Sequence, residues 1–396
     1  MDKKNKNSNV PNLRFNGYTE NWQKYRTIEL GQMQRGKSKH RPRDDEKLYG
    51  GAYPFIQTGD IKKANLYIKE YERTYSNYGL SQSKLWSKGT LCITIAANIA
   101  ETAILGLNAC FPDSVIGWIS NEKITNNIFI KYYFDFYKTQ LKRLSVGGAQ
   151  ENLNLDKLEN VYFHIPTLPE QNDITNLLTK IDELIETQIK IIELKQSLIK
   201  DIEDKLLWKS ASTYSRHISD FLTELNDKSK IQNQYPLLSS TKKGLFLQTD
   251  YFNKEAASSN NIGYKIVHEG DIIISPQNLW MGNITYNDKF VNGLVSPSYR
   301  IYKVKEEYNA YYISRILMSY RALSLYKNIS EQGASIVRRN LNVDAFNELC
   351  FPIPNIKKQD EVSLFLSKLH QELNSEIEIL RQLKNQKKYL LCNMFI

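Results

Sequence analysis

The chain has 396 residues, enough for two or three domains with their own cores. A formal net charge of +10 and a pI near 9.1 favour a polyanionic partner. The start has no signal-peptide pattern, and the most apolar run, residues 91–100, stops at Glu101, too short for a membrane span. The four cysteines and five histidines lack the spacings of metal sites. We therefore expect no metal, a reduced cytoplasm, and cysteines that lie in cores.

Residues 31–38, GQMQRGKS, fit the phosphate-loop pattern G-x-x-x-x-G-K-[ST]. Such a loop needs a buried strand before it and a helix after it, whose N-terminus holds the phosphates. Residues 23–30 instead alternate as a half-exposed strand does, and Pro42 would break a helix beginning near Ser38. We predict no nucleotide site. The alternating cations of residues 35–43 indicate that the loop binds an anion other than a nucleotide. The alternative is a solvated basic loop that binds nothing.

An internal repeat organises the rest of the chain. The segment NLNLDKLENVYFHIPTLPEQNDITNLLTK, from Asn152, matches NLNVDAFNELCFPIPNIKKQDEVSLFLSK, from Asn340, at 10 of 29 positions without a gap. Each copy predicts a short strand (161–165 and 349–353), a proline turn and a long helix. Because the strand and turn residues recur together with the helix, we interpret the match as a duplication.

Each predicted helix carries apolar residues at a spacing of seven. The first extends from Pro169 to about Trp208, roughly 40 residues or about 60 Å. Seven-residue spacing predicts a coiled coil, in which each helix pairs with the other, or alternatively with another molecule. Gln188, Lys195 and Lys387 interrupt the stripe. Its predicted members are Leu178, Ile185, Ile192, Ile199 and Leu206 in the first helix, and Leu366, Leu373, Leu380, Leu383 and Leu390 in the second.

The segments before the helices are rich in short β-like runs, glycine turns and tyrosines. They share a phrase, SKGTLCIT at 87–94 and HEGDIIIS at 268–275, that predicts a turn glycine followed by a buried strand. We therefore predict an α+β chain with a pseudo-two-fold internal repeat. Its parts are a domain at 1–150, a strand and long helix at 151–211, a second domain at 212–335, and a strand and long helix at 336–396.

This arrangement resembles the DNA specificity subunit of type I restriction–modification systems over essentially the whole chain. The phrases that carry the resemblance are VPNLRFNGYTENW (10–22), YPFIQTGDI (53–61), GGAQENLNLDKL (147–158) and YPLLSSTKKGLFLQTDYF (235–252). The resemblance implies two globular α/β target recognition domains, separated by two long helices that form an antiparallel coiled coil. Each domain would recognise one half of a bipartite DNA site, and the coiled coil would set the spacer. The second copy differs from the first at one point, since GASIVRRNLN (333–342) has three more residues than the corresponding GAQENLN of the first copy.

The resemblance also implies partners: two methyltransferase (modification) subunits that dock on the helices, and motor-nuclease (restriction) subunits. The chain itself lacks an Asn/Asp-Pro-Pro-aromatic motif and a glycine-rich S-adenosylmethionine loop. We therefore expect a non-catalytic, cytoplasmic, host-defence subunit, with S-adenosylmethionine, ATP and Mg²⁺ bound by its partners. Two alternatives are a free-standing two-headed DNA-binding regulator and a coiled-coil adaptor that does not bind DNA.

Candidate DNA contacts follow from side-chain chemistry. Cations bind phosphates, arginine can pair with guanine, and amides can pair with adenine. Alternatively, the amide side chains only hydrogen-bond within their own turns and do not contact DNA. The predicted contacts are Arg35, Lys37, Lys39, His40, Arg41, Arg43, Gln57, Thr58 and Asn98 in the first domain, and Lys242, Lys243, Gln277 and Asn278 in the second.

Overall fold

The computed structural model describes residues 9–96, 98–145, 153, 155–209, 215–242, 244–251, 260–332 and 339–396. The chain divides into two compact units. One is Met1–Lys190 with Ile377–Ile396, and the other is Ile191–Glu376. Helices and mainly antiparallel sheets occur in both, so the predicted α+β class is confirmed.

The first unit contains eleven of the described strands and the first five helices, and a sixth, long helix begins in it. The strands are β1 (Gln23–Arg26), β2 (Gly31–Arg35), β3 (Tyr49–Phe55), β4 (Tyr67–Ile68), β5 (Arg73–Tyr75), β6 (Leu85–Trp86), β7 (Leu91–Thr94), β8 (Thr102–Leu105), β9 (Ala109–Cys110), β10 (Val115–Ser120) and β11 (Tyr162–Ile165). The helices are α1 (Thr27–Leu30), α2 (Thr58–Lys63), α3 (Asn77–Ser81), α4 (Asn127–Ser145), α5 (Leu155–Glu159) and α6 (Leu168–Asp204). A 3-10 turn spans Glu46–Leu48.

The core of the first unit lies between a five-stranded sheet and helix α4. The strand order is β2-β10-β7-β8-β4, antiparallel except that β4 runs parallel to β8. Phe129 and Tyr133 of α4 pack in one cluster with Leu91, Ile93 and Trp118 of the sheet, all fully buried. A smaller sheet, β5-β3-β9-β6, lies beside a separate cluster of aromatic side chains.

The second unit repeats much of this order. Its strands are β12 (Ser215–His217), β13 (Leu222–Leu225), β14 (Leu238–Thr241), β15 (Gly244–Leu247), β16 (Lys265–His268), β17 (Ile272–Ile274), β18 (Ile284–Tyr286), β19 (Asn292–Val295), β20 (Arg300–Val304), β21 (Ser330–Gln332), β22 (Arg339–Leu341) and β23 (Cys350–Pro352). Its helices are α7 (Ile218–Phe221), α8 (Gln248–Tyr251), α9 (Ala310–Leu317), α10 (Tyr320–Asn328) and α11 (Val343–Asn347), and α12 (Ile356–Met394) begins in it. Helix α6 ends in a π-helical turn at Lys205–Lys209, and a 3-10 turn spans Leu279–Met281.

The two units share a sheet order and a strand pairing. The second unit has a four-stranded sheet of order β13-β20-β17-β18, which corresponds to β2-β10-β7-β8 of the first. In each unit, the strand before the sheet pairs antiparallel with the strand before a long helix, β1 with β11 and β12 with β23. The shared glycine turns also correspond, since Gly89 (φ +91°) and Gly270 (φ +88°) both precede fully buried strands. The predicted internal repeat is thus visible in the fold.

A buried glutamine near the start of each long helix repeats in the same role. The side-chain amide of Gln171 donates to the carbonyls of Pro166 (2.9 Å) and Ile124 (2.8 Å), and its oxygen accepts from the Thr125 hydroxyl (2.8 Å). Gln359 donates to the carbonyl of Pro354 (2.7 Å) and accepts from the backbone N–H of Asn309 (2.9 Å). Each glutamine therefore ties a long helix both to its own proline turn and to the residues that precede α4 or α9.

Within each unit, α6 and α12 run antiparallel. In the first unit Asp182 pairs with Lys387 (2.6 Å). In the second, Lys195 pairs with Glu376 (2.9 Å) and Glu203 with His370 (3.0 Å), so the α12 partner's number falls as the α6 number rises. The heptad positions Leu178, Ile185, Ile192, Ile199, Leu366, Leu373 and Leu390 are buried, and Leu206, Leu380 and Leu383 are half-buried.

Two expectations about local structure were wrong. Cys92 and Cys110 are buried, but Cys350 and Cys392 are exposed. Cys350 is exposed because it lies on the short strand β23, opposite the exposed His217. Residues 23–30 do not form one strand, since β1 ends at Arg26 and a helical turn follows. Lys243, most of the phrase at 147–154 and the extra loop residues at 333–338 lie outside the described residues.

Candidate nucleic-acid interface

The predicted basic segment forms an extended loop that is fixed by its backbone. Strand β2 ends at Arg35, after which the N–H of Gly36 donates to the carbonyl of Val115 (2.8 Å) and that of Lys37 to Phe111 (3.1 Å). Further along, the N–H of Lys39 donates to the carbonyl of Gln82 (3.1 Å). Ser38 points inward while its two lysine neighbours are exposed. The alternation in the sequence therefore corresponds to a loop with one face packed on the protein and the other face, which carries the lysines, exposed to solvent.

Packing explains both glycines of the phosphate-loop pattern. A Cβ on Gly31 would lie 2.5 Å from the carbonyl oxygen of Ile119, and one on Gly36 would lie 2.3 Å from that of Pro112. Gly31 lies within strand β2, and residues 36–45 form a loop without the long helix whose N-terminus would hold a phosphate. The glycines are needed for close approach of two backbones.

The cations of the basic loop are in two different states. The Arg43 guanidinium donates to both carboxylate oxygens of Asp113 at 2.9 Å, and Arg41 lies 3.8 Å from the same carboxylate. Lys37 and Lys39 are exposed and form no ion pair with any described residue, and the same holds for Arg35. The field of this loop is therefore carried mainly by Arg35, Lys37 and Lys39, whereas Asp113 offsets part of the charge of the two arginines.

His40 is held at both ring nitrogens. Its Nε2 lies 2.7 Å from Asp45, and its Nδ1 lies 3.2 Å from the Tyr78 hydroxyl. A hydrogen bond from the backbone N–H of Lys47 and the contact with His40 lower the pKa of Asp45. His40 stays a predicted DNA contact, but in this structure both ring nitrogens face protein atoms.

A cleft of about 290 Å³ brings three of the predicted contacts together. Arg43, Gln57 and Thr58 line it, with Ser38 also on its wall. Its other wall contains Tyr49 and the stacked pair Phe55 and Tyr75, whose ring centroids are 4.0 Å apart. Gln57 is the N-cap of α2, and its backbone N–H donates to the Asp60 carboxylate at 2.8 Å. A cationic and amide rim over an aromatic wall suits a nucleobase edge or a phosphate.

Arg73 lines the same cleft and was not among the predicted contacts. It lies on β5, opposite Phe55 of β3. In the sequence it stands within EYERTY, where a single arginine beside glutamates has no distinguishing pattern. Only the pairing of β5 with β3 brings it to the cleft.

Asn98 lies elsewhere in the first unit, in the loop between β7 and β8. Its side-chain oxygen accepts from the Lys62 ammonium (3.3 Å), and its backbone carbonyl accepts from the Thr94 hydroxyl. Lys62 belongs to α2, which begins at Thr58. Asn98 is half-buried and is not part of the cleft lining.

In the second unit the predicted contacts fall in two places. Lys242 is exposed in the turn between β14 and β15. Gln277 is exposed in the loop after β17, and the Asn278 amide beside it donates to the Ser275 hydroxyl at 3.3 Å. Asn278 thus stabilises its own turn, which is the alternative to a DNA contact that the sequence left open.

An arginine lies against the predicted contacts of this second loop. Arg339 donates its backbone N–H to the carbonyl of Gln277 (3.3 Å), and its guanidinium carbon lies 4.5 Å from the ring centroid of Trp280. No acceptor among the described residues bonds the buried Arg339 Nε. Arg339 was not among the predicted contacts, and a β-hairpin brings it back to this loop.

The described residues contain no group of three or more His, Cys, Asp and Glu side chains placed to hold a metal ion. Among the helices of the described ranges, none has the combined length and hydropathy of a transmembrane segment.

The first part of the chain matches a known protein family. Residues 19–196 match the family described as the type I restriction modification DNA specificity domain. The chain is also similar to two type I restriction enzyme specificity subunits of Methanocaldococcus jannaschii. It is 27% identical to MjaX over 191 residues (48% of this chain) and 25% identical to MjaIX over 192 residues (46%). Each alignment covers 43% of the relative, less than half of its length.

Two solved structures have a similar fold over nearly the whole chain. The crystal structure of a type I restriction–modification S subunit from M. genitalium has a TM-score of 0.60 at 15% identity, covering 98% of this chain and 99% of that one. A chain solved in work on complex assembly and conformational transition of the type I system has a TM-score of 0.52 at 12% identity, covering 93% and 96%. Identities this low concern the fold alone.

Residues 19–196 therefore match the type I restriction modification DNA specificity domain family, and the resemblance found in the sequence is confirmed. A specificity subunit is favoured over a free-standing regulator and over an adaptor that does not bind DNA.

Proposed function

We propose that the whole chain is the non-catalytic, DNA-recognising subunit of a type I restriction–modification complex. One recognition domain in each unit would bind one half of a bipartite DNA site. The observation that carries the proposal is the duplication. A DNA specificity domain matches residues 19–196, and the second unit repeats its central sheet, its strand pairing and its buried glutamine. A protein with two such units has two places at which to recognise a sequence.

The geometry of the first unit supports contact with DNA through a defined surface. Lys37 and Lys39 project from an anchored loop, which costs less ordering entropy on binding than a mobile loop would. Gln57 and Thr58 line the adjacent cleft. Phosphate contacts from the lysines would position the duplex, and the cleft residues would supply base recognition.

The two long helices would dock two methyltransferase subunits. Apolar side chains remain exposed on them after the seam is filled, among them Leu194 (72%) and Leu198 (58%) on α6 and Leu364 (61%) on α12. Exposed leucines in a chain that also buries a heptad stripe favour a protein partner. The partner would bind S-adenosylmethionine and flip the target base. Motor-nuclease subunits with ATP and Mg²⁺ would join for restriction.

The test is co-expression of the full chain with its candidate methyltransferase, followed by copurification and methylation-sensitive sequencing of host DNA. We expect a complex that methylates a two-part motif with a fixed spacer. A regulator would instead bind its DNA tightly without any methyltransferase. An adaptor would copurify with a protein but show no salt-dependent DNA binding.

A further inference from the structure

The guanidinium of Arg73 lies over an aromatic ring in the lining of the first unit's cleft. Its guanidinium carbon lies 5.0 Å from the centroid of the Tyr49 ring. The residue is exposed and forms no ion pair or hydrogen bond with any described residue. Its carboxylate neighbour Glu72 is engaged by Lys63 instead, at 2.5 Å.

The Tyr49 ring that supports Arg73 is itself fixed. Its hydroxyl donates to the backbone carbonyl of Arg43 at 2.6 Å. Its ring lies against Tyr75 and Phe55, with centroid distances of 5.4 and 6.1 Å. The ring therefore connects the basic loop to Arg73, and the arginine lies on a rigid platform.

A guanidinium that lies over an aromatic ring and bonds no protein acceptor keeps its N–H groups available for hydrogen bonds. Two parallel N–H groups match the O6 and N7 acceptors of guanine in the major groove. Lysine carries the same charge but cannot make this planar, two-point contact. Arg43, on the same cleft, has one guanidinium nitrogen bonded to both carboxylate oxygens of Asp113, so Arg73 is the better placed of the two for a base.

We infer that Arg73 determines specificity by recognising a guanine in the half-site bound by the first recognition domain. This inference rests on the proposed DNA-specificity function. Gln57 and Thr58, on the same cleft, would contact neighbouring base pairs or the backbone beside that guanine. A phosphate contact by Arg73 is the competing role, and charge alone would satisfy it.

The experiment compares the wild-type complex with complexes carrying Arg73→Lys and Arg73→Ala. Binding is measured on the methylated motif and on DNAs with each base pair of both half-sites replaced in turn. For guanine recognition, both variants should lose about 5- to 150-fold of discrimination at one G·C pair, because a bidentate contact contributes about 1–3 kcal/mol. All other positions should keep their wild-type preference. Arg26→Lys, an exposed arginine on β1 that pairs with Glu29, is the matched control and should change nothing.

Replacing the guanine by 7-deazaguanine gives a second, independent readout. This analogue keeps base pairing but lacks the N7 acceptor, so it should weaken the wild-type complex and leave the Arg73→Ala complex unaffected. Discrimination retained by Arg73→Lys, with a salt slope about 0.9 lower only in Arg73→Ala, would overturn the inference in favour of a phosphate contact. Arg73→Lys keeps the charge and most of the aliphatic stem, so it remains informative if Arg73→Ala folds poorly. Absence of any sequence-specific methylation by the wild-type complex would instead reject the proposed function.

Discussion

Lys387 of α12 donates to the carboxylate of Asp182 on α6 at 2.6 Å, with 15% and 2% of the two side chains exposed. The Tyr132 hydroxyl donates to the same carboxylate at 2.7 Å. Burial and the nearby Lys131 lower the pKa of Lys387, against the attraction of Asp182. A lysine that interrupts the heptad stripe in the sequence is thus the partner of a buried acid. Sliding one helix along the other would leave both charges unpaired, so this pair specifies the helix register in the first unit.

Breaking that pair should destabilise the first unit strongly. Lys387→Met leaves the Asp182 carboxylate buried without its cation, which costs about 3–5 kcal/mol in the free energy of unfolding. Chemical denaturation of the full chain measures it. The control is Lys388→Met at the exposed neighbouring position, expected within about 0.5 kcal/mol of wild type. Replacing both partners, by Asp182→Leu with Lys387→Met, should recover part of the loss, because the Tyr132 hydroxyl then loses its acceptor. An undiminished loss would show that pairing is not the cause.

The repeated glutamines give a paired prediction. Gln171→Leu removes the acceptor of the buried Thr125 hydroxyl and the donor to the carbonyls of Pro166 and Ile124. A buried group left unsatisfied costs about 1–3 kcal/mol, so the unfolding free energy should fall by at least that amount. Gln359→Leu should cost a similar amount, because it removes the hydrogen bonds to the carbonyl of Pro354 and to the backbone N–H of Asn309. Gln371→Leu, exposed on α12, is the control. A neutral result at both sites would exclude the glutamines as helix anchors.

The sequence predicted the features that depend on local pattern and repetition. The long helices, the strands before them and the glycine turns follow from spacing and turn chemistry, and they lie where expected. Features that depend on distant strands meeting were not predictable. Arg73 reaches the cleft only through the pairing of β5 with β3, and Asp113 binds Arg43 across 70 residues of sequence. The exposure of Cys350 follows from its place on a short two-stranded sheet, which its apolar character does not reveal.

The buried Glu203 should make the second unit less stable at acid pH. Burial alone would raise its pKa, but His370 (3.0 Å) and Arg315 (2.6 Å) outweigh burial and hold the pKa below the ordinary value of 4.5. A carboxylate with a lowered folded-state pKa stabilises the fold above its unfolded pKa, and this contribution is lost as pH falls through the folded value. Unfolding free energy should therefore decline below about pH 4.5 in the wild type, by less in Glu203→Gln. Glu361→Gln, at an exposed site, should leave the wild-type decline unchanged.

The ion pairs of the basic loop determine how strongly each of its cations should contribute to the salt dependence of DNA binding. Replacing Lys37, Lys39, Arg41 and Arg43 by Ala should lower the slope of log K on log salt by about 3.5 if all four touch phosphate. Lys37→Ala with Lys39→Ala should lower the slope by about 1.8. Because Asp113 already engages both arginines, replacing the arginines should lower it by less than that. Asp113→Asn, which frees the arginines, should strengthen binding at low salt. Titrations of the proposed methyltransferase complex on the DNA site that it methylates, over a range of salt, give the slopes. Equal slopes for the folded lysine double variant and the wild type would exclude phosphate contacts by these lysines.

The spacer of the DNA site should follow the length of the paired helices. Helix α6 is continuous from Leu168 to Asp204, beginning in the first unit and ending in the second. A heptad inserted between Glu193 and Leu194 adds about 10.5 Å at 1.5 Å per residue and keeps the apolar stripe nearly in phase. The contacts Asp182–Lys387 and Lys195–Glu376 lie on either side of that point, so α12 needs an equal insertion between Glu376 and Ile377 to keep both.

At about 3.4 Å per base pair, the matched insertion should lengthen the spacer by roughly three base pairs and leave both half-sites unchanged. A matched four-residue insertion should add about two base pairs, with some loss of stability because the stripe rotates. An insertion in α6 alone should displace one of the two ion pairs and destabilise the protein more than the matched change does. Sequencing the methylated sites of strains carrying each variant measures the spacer. A folded, active protein with both helices lengthened and the original spacer would show that the helices do not set the distance between half-sites.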